Sequence, residues 1–314
     1  MTPTPQQSPE ALFPDEFKRP TLGMGPFEAP ALQRNLEIVR AAAADHRMDW
    51  SRWFGPGQAF TLTLSGREAI GLALDDLALP REAEVLILTT TGGPYISACV
   101  TESIEARCRW SRTPGPATRA ILVIHEFGFP ASLPPELATL SLPVIEDVAY
   151  ALGSRTPDGT VGRLGDYVVY SFPKSMPLSF GGLLKSPRPV AGTGTLSDQA
   201  RRELPVLVDH YMAGIEAAYA RRRELYGLYA RLFAAAGFKP RLALADGVVP
   251  HAFIVAMDDQ ARAMAMKPRL YEMGVISSVY YGGGGYFLPN HQELSDAAVE
   301  YIVANFLTAY AATA

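Results

Sequence analysis

Between Glu84 and Leu184 the chain alternates short, continuous apolar runs with longer stretches of helical spacing. Glu84 to Leu88, Ala120 to Ile124, Pro143 to Ile145 and Asp166 to Phe172 are apolar almost throughout and too short for buried helices. That is the pattern of strands covered on both faces, as in a parallel sheet. The stretch Leu62 to Leu79 predicts a helix that starts near Ser65-Gly66-Arg67: Ser65 precedes Glu68 at capping-box spacing, and Ile70, Leu72, Leu74 and Leu77 supply an apolar body behind it. Ala31 to Arg47 predicts an amphipathic helix on Leu32, Leu36, Val39 and Ala43. After a link rich in Pro, Gly and Ser, Ser186 to Ser197, a long helical region is expected from about Asp198 to Ala236. Leu225, Leu228, Tyr229 and Leu232 form its apolar side, and the triplet Arg221, Arg222 and Arg223 is expected on a solvated face. Val249 to Met257 then reads as a strand, Gln260 to Met273 as a helix and Leu294 to Ala311 as a C-terminal helix.

Prolines at 3, 5, 9, 14, 20, 26 and 30 deny the first 30 residues a long helix or a central strand. The organisation expected is an N-terminal surface arm over 1–30, a large domain over 31–190 and a smaller C-terminal α+β domain over 191–314. The large domain is an α/β fold with a mainly parallel sheet.

Charge narrows the partners. Lys and Arg number 28 against 32 for Asp and Glu, a net −4, so there is no basic footprint for nucleic acid and no polybasic membrane patch. No apolar run is long enough to span a bilayer, the polar start has no secretory core, and a cytoplasmic location is expected. Cys99 and Cys108 lack metal-ligand spacing and are expected to be reduced and structural. The five histidines are scattered and suggest no metal site.

The chemistry gathers between Val144 and Leu184. One expected strand ends in Glu146 and Asp147; the next leads through Phe172 and Pro173 to Lys174 and the pair Gly181-Gly182. An acid and a lysine at the ends of successive strands suit pyridoxal phosphate, whose aldehyde needs an amine and whose ring nitrogen needs an anion. Glu146-Asp147-Val148-Ala149, Gly162 to Asp166, Ser171-Phe172, Lys174 and Gly181-Gly182 resemble, in order and spacing, the DegT/StrS-type aminotransferases, a fold-type-I pyridoxal phosphate family known for making amino sugars. Leu288-Pro289 and Leu294-Ser295-Asp296 resemble the family's usual ending.

The resemblance implies a fold-type-I architecture, an amino donor, a keto acceptor such as a sugar, and a homodimer with shared active sites. It implies Lys174 as the Schiff-base lysine and Asp147 as the partner of the ring nitrogen. Lys185, after the glycine pair, is the competing lysine. Ser65, Gly66, Arg67 and Ser171 would hold the phosphate, the first three at a helix start where N–H groups are open to an anion. Tyr95 would stack on the ring, and His125, ending the Ala120 to Ile124 run, would face cofactor or substrate. The chain departs from the family pattern at four places. Arg67 and Glu68 stand where the family's phosphate turn continues with threonine. Tyr150 replaces the usual glutamine beside the cofactor's phenolic oxygen. Only Pro173 separates Phe172 from the lysine, and a long substrate loop is reduced to Ser277 to Tyr286, SSVYYGGGGY, which implies a remodelled pocket. Lyase or isomerase chemistry on the same residues, and cofactor binding for regulation without turnover, are the alternative functions.

Overall fold

The computed structural model describes residues 21–43, 45–55, 59–192 and 194–313. The expected arm lies outside the described residues as far as residue 20. In chain order the elements are α1 (Ala29–Ala41), α2 (Trp50–Phe54), β1 (Ala59–Thr63), α3 (Gly66–Leu77), β2 (Glu84–Thr89), α4 (Ala98–Glu105), β3 (Arg109–Ser111), β4 (Thr118–Ile124), α5 (Pro135–Ala138), β5 (Val144–Asp147), β6 (Tyr167–Ser171), β7 (Gly182–Ser186), α6 (Asp198–Ala213), α7 (Ile215–Ala235), β8 (Ala252–Ala256), α8 (Gln260–Glu272), β9 (Ser278–Tyr280), β10 (Gly285–Pro289) and α9 (Asp296–Ala311).

Seven strands form one sheet in the order β1-β7-β6-β5-β4-β2-β3. β3, β2, β4, β5 and β6 run parallel, and β7 and β1 complete one edge antiparallel. The expected α/β fold with a mainly parallel sheet is the one that forms, and the sheet has seven strands. Side chains alternate faces along each strand. Ile87, Leu122, Ile145, Val169 and Leu184 pack with Ile70 and Leu74 of α3 and Ile104 of α4. Val168, Tyr170 and Leu183 meet Leu204, Leu207 and Val208 of α6 on the other face. Both faces are therefore apolar, which is why the strands read as continuous runs rather than alternating ones. A second, antiparallel sheet, β8-β10-β9, packs with α7, α8 and α9 around Tyr229, Phe233, Phe253 and Phe306.

Several expectations are corrected. The long helix is two helices, α6 and α7, that meet at Gly214. α6 belongs to the core of the large sheet, whereas Leu225, Tyr226, Tyr229 and Phe233 of α7 belong to the C-terminal core, so the chain has to turn between them. Arg222, expected on a solvated face, is fully buried because it falls on the helical stripe shared with Leu225, Tyr226 and Tyr229. α1 stops at Ala41 and buries Ala31 and Asn35, leaving Leu32 and Leu36 exposed. Asn35 sets that face: its amide donates to Pro177 O at 3.0 Å and accepts from the Tyr211 hydroxyl at 2.6 Å. β1 was not anticipated; it is formed by pairing with β7.

The turn after β4, His125 to Gly128, joins the two cores. Phe127 has φ 52°, in the left-handed region that costs a branched or aromatic residue energy, and its ring packs into the C-terminal core. Gly128 has φ 95°, and a Cβ there would lie 2.0 Å from Val249 O. Gly128→Ala is expected to cost roughly 2–5 kcal/mol, the sum of left-handed strain and overpacking. Gly237→Ala, at φ 84° with nothing within 4 Å of the added Cβ, should cost only the strain, about 1–2 kcal/mol. Denaturant midpoints measure both, and equal shifts would refute the close-approach argument.

Candidate active site

The C-terminal ends of β4, β5 and β6, the start of α3 and the segment before α4 enclose a cavity of about 520 Å³. Open α/β sheets bind ligands at this edge. Ser65, Gly66, Arg67, Tyr95, His125, Asp147, Tyr150, Ser171 and Lys174 all line it. Nine residues spread from 65 to 174 thus meet in one space.

At one end Ser65 caps α3, its Oγ accepting from Glu68 N–H at 3.3 Å. Glu68 does not return the bond to Ser65 but accepts from Leu64 N–H at 2.5 Å and Thr195 N–H at 2.6 Å. The first N–H groups of a helix have no partner inside it, so the α3 start offers donors to an anion. A Cβ on Gly66 would lie 3.2 Å from the Ser171 Cβ, so only glycine lets the helix start come this close to the end of β6. Arg67 donates to the Cys99 thiol at 2.9 Å and lies 3.6 Å from Glu102. Cys99 is exposed and lines the cavity, correcting the reading of both cysteines as structural; Cys108 is buried. Burial raises the Cys99 thiol, but hydrogen bonds with Arg67 and Ser97 outweigh it and hold its pKa below the usual value. Nothing in the spacing of Cys99 signals this role.

One wall is aromatic. Tyr95 lies against Phe127 at 6.1 Å, Tyr280 at 5.0 Å and Phe287 at 6.2 Å between ring centroids. Burial pushes the Tyr95 phenol up to about 12, so it stays neutral near pH 7. Tyr280 comes from the Ser277 to Tyr286 segment and is 1% exposed. Its hydroxyl donates to Glu126 at 2.6 Å, and the same carboxylate accepts from Thr91 N–H at 2.8 Å. Tyr280 thus stands behind Tyr95 and backs the aromatic wall. Phe127, Phe287 and Glu126 line the cavity and were not singled out from the sequence, because their apolar or local roles look ordinary there.

His125 has both nitrogens engaged: Nδ1 accepts from Ala131 N–H at 2.8 Å, so Nε2–H donates to Glu146 at 2.9 Å. It offers the cavity its ring surface. Asp147 is buried, with Oδ1 accepting from Ala149 N–H at 2.9 Å. Lys174 ends a short 3-10 turn, Phe172–Lys174, and its Nζ donates to the Tyr150 hydroxyl at 2.9 Å while lying 4.5 Å from the centre of that ring. Lys185, the competing lysine, sits on β7 and donates to Gly162 O at 3.3 Å, away from the cavity lining. Burial works to lower the Lys174 pKa, but Tyr150, Cys99 and Asp147 outweigh it and hold the amine above its ordinary value. Burial raises the Asp147 carboxyl, against Ala149 N–H, His125 and Lys174, which favour the anion.

Residues 111–185 match the family model of the DegT/DnrJ/EryC1/StrS aminotransferase family. No curated protein matches the chain in sequence. Solved structures match its fold over nearly the whole length. The aminotransferase TlmJ from Streptoalloteichus hindustanus has a TM-score of 0.72 at 22% identity, covering 94% of this chain and 98% of that one. PseC from Helicobacter pylori, an aminotransferase of pseudoaminic acid biosynthesis, has 0.71 at 15%, covering 94% and 100%. The pyridoxal phosphate form of a putative sugar aminotransferase from Streptococcus pneumoniae, Spr1654, has 0.69 at 15%, again covering 94% and 100%. The fold is that of the fold-type-I pyridoxal phosphate transferases. Within that class the resemblance stated from the sequence is borne out by the match of residues 111–185 to the model of the DegT/DnrJ/EryC1/StrS aminotransferase family.

Because the fold raises the Asp147 pKa, the native state holds that proton more tightly than the unfolded chain. The stability this contributes is complete below the ordinary carboxylate range and is lost as pH rises through the raised, folded-state value. Asp147→Asn removes that loss. In cofactor-free protein the variant should melt above the wild type at pH 8, with the gap narrowing at pH 5; a gap that does not change with pH would refute the assignment.

Proposed function

We propose that this aminotransferase moves an amino group from a small amino donor to the carbonyl of a sugar or another small keto acceptor. The observation that carries the reading is the convergence of Lys174 Nζ, the Asp147 carboxylate and the open start of α3 on one cavity. The donor set fits pyridoxal phosphate. Its phosphate would be held by the N–H groups at the α3 start, by Arg67 and by the hydroxyls of Ser65 and Ser171. Its ring nitrogen would face Asp147, and its aldehyde Lys174. When bound, it supplies an aldehyde that takes up the donor amine and a ring that withdraws electrons from the substrate carbon.

The chain's own groups do the rest. Asp147 would keep a proton on the ring nitrogen of the bound cofactor through a charge-assisted hydrogen bond, and that pairing would offset the desolvation of its carboxylate. Lys174 Nζ takes the proton from the substrate carbon and returns it, and the Tyr150 hydroxyl keeps the amine aimed between those moves. Tyr95 would cover one face of the cofactor ring, and with Phe127 and Phe287 it keeps water from that side of the cavity. The family implies a cytoplasmic homodimer, and the exposed Leu32 and Leu36 of α1 offer apolar surface for a second copy.

Full-length protein, loaded with pyridoxal phosphate and offered amino acid donors with a panel of keto acceptors, tests the reading. Amine transfer is expected, with borohydride fixing the cofactor on Lys174. Lys174→Ala should lower transfer by about 10²–10⁴-fold or more, the usual share of a proton-transferring side chain. Lys185→Met should leave turnover near the wild-type rate. Cofactor bound without transfer to any acceptor would instead favour a regulatory role, and release of the donor's amine without transfer would indicate lyase chemistry.

A further inference from the structure

Arg222 is fully buried, and among the described residues no carboxylate lies within ion-pair distance of it. A buried guanidinium without a counter-ion costs stability, and a leucine or methionine on the same α7 stripe would pack without that cost. Burial lowers Arg222 to about 9, so it remains a cation at neutral pH. Its bonds indicate its use. Nη2 donates to the backbone carbonyl of Lys174 at 2.9 Å, Nη1 to Asn290 O at 3.2 Å, and Nε to the Gln292 side chain at 2.9 Å. Gln292 in turn donates to the carbonyl of Ser175 at 2.9 Å, and the Ser175 hydroxyl meets His251 Nε2 at 3.0 Å.

Two consecutive carbonyls, those of Lys174 and Ser175, are thus held by side chains from the C-terminal half. Among the described residues no backbone N–H donates to either. The turn itself is minimal, since only Phe172 and Pro173 separate Lys174 from Ser171 at the end of β6. A lysine on so short a turn is aimed by its backbone, and the direction of that backbone is set from outside.

We propose that Arg222, acting with Gln292, is the positioning residue for Lys174, holding the lysine's backbone so that Nζ points into the cavity. The proposal rests on Lys174 being the lysine that bonds the cofactor aldehyde, and the test separates the two. Full-length protein is mixed with pyridoxal phosphate, reduced with borohydride after timed intervals, and the label mapped by peptide mass. Wild-type label should accumulate on Lys174; label elsewhere would overturn the assignment of the lysine and the positioning role with it. In Arg222→Gln the rate of label on Lys174 should fall by about 10²-fold, the effect of a misplacement near 1 Å, while cofactor still binds at the phosphate end. Arg222→Lys, keeping one charged donor, should recover part of that rate. A folded Arg222→Gln variant labelled at the wild-type rate would show that Arg222 serves stability alone and overturn the proposal. Should the Arg222 variants not fold, Gln292→Ala decides: slower labelling at an unchanged melting temperature supports the clamp, and wild-type labelling refutes it.

Discussion

The carboxylate of Glu146 is the interaction on which the cavity edge of the large sheet depends. It is fully buried and accepts from Gly162 N–H at 2.6 Å, Leu164 N–H at 2.9 Å, Gly165 N–H at 3.1 Å and His125 Nε2 at 2.9 Å. Three N–H groups of the β5–β6 connection are tied to the end of β5, and the end of β4 is tied there through the histidine. A carboxylate with four donors has its lone pairs satisfied, which is the condition for burying a charge at all. Gly165 makes the approach possible: a Cβ on it would lie 2.7 Å from the Glu146 Cβ. Asp147, one residue later, points to the opposite face and into the cavity. Adjacent acids therefore face opposite ways, one into the β5–β6 connection and one into the cavity, and the first fixes where the second stands.

The cavity is assembled from strands that cannot shift independently of this knot. β6, registered on β5 just beyond it, ends in Ser171 and delivers Lys174 within one short turn. The open start of α3 is brought against Ser171 by glycine at 66, and the aromatic wall is completed from the other half of the molecule by Tyr280 and Phe287. Buried polar groups in this region are costly in the free protein. Asp147 is held away from its ordinary pKa by desolvation, and Arg222 lacks a counter-charge. Such costs recur where a binding site is prepared before its ligand arrives.

Fold class and the strand-end pair Asp147 and Lys174 were legible in the sequence because their signals are local. A strand covered on both faces must be apolar at every position, and a parallel sheet displays its ligands at the ends of such runs. The capping pattern at Ser65 marked the start of α3 for the same reason. What the sequence could not display depends on which face of a helix meets which core. Arg221, Arg222 and Arg223 are chemically alike in a string, and only the α7 stripe shared with Leu225 and Tyr229 buries the middle one. Leu32 and Leu36 read as the inner face of α1, but the paired amide of Asn35 turns the helix by about one residue. Cys99 and Phe127 carried no pattern at all, since their place at the cavity follows from the packing of α4 and from a left-handed turn after β4.

By itself, then, the sequence determined the periodicities, the turns that demand glycine or proline, and the order of acid, serine, lysine and glycine pair along neighbouring strands. Only the tertiary structure decided that nine separated residues share one cavity, that Lys174 rather than Lys185 enters it, and that the C-terminal half holds the lysine's backbone. The physical reason is range. Strand and helix patterns are set by neighbours within a few residues, whereas these contacts join positions up to 117 apart in the chain, as between Ser175 and Gln292, and are chosen by how two cores pack.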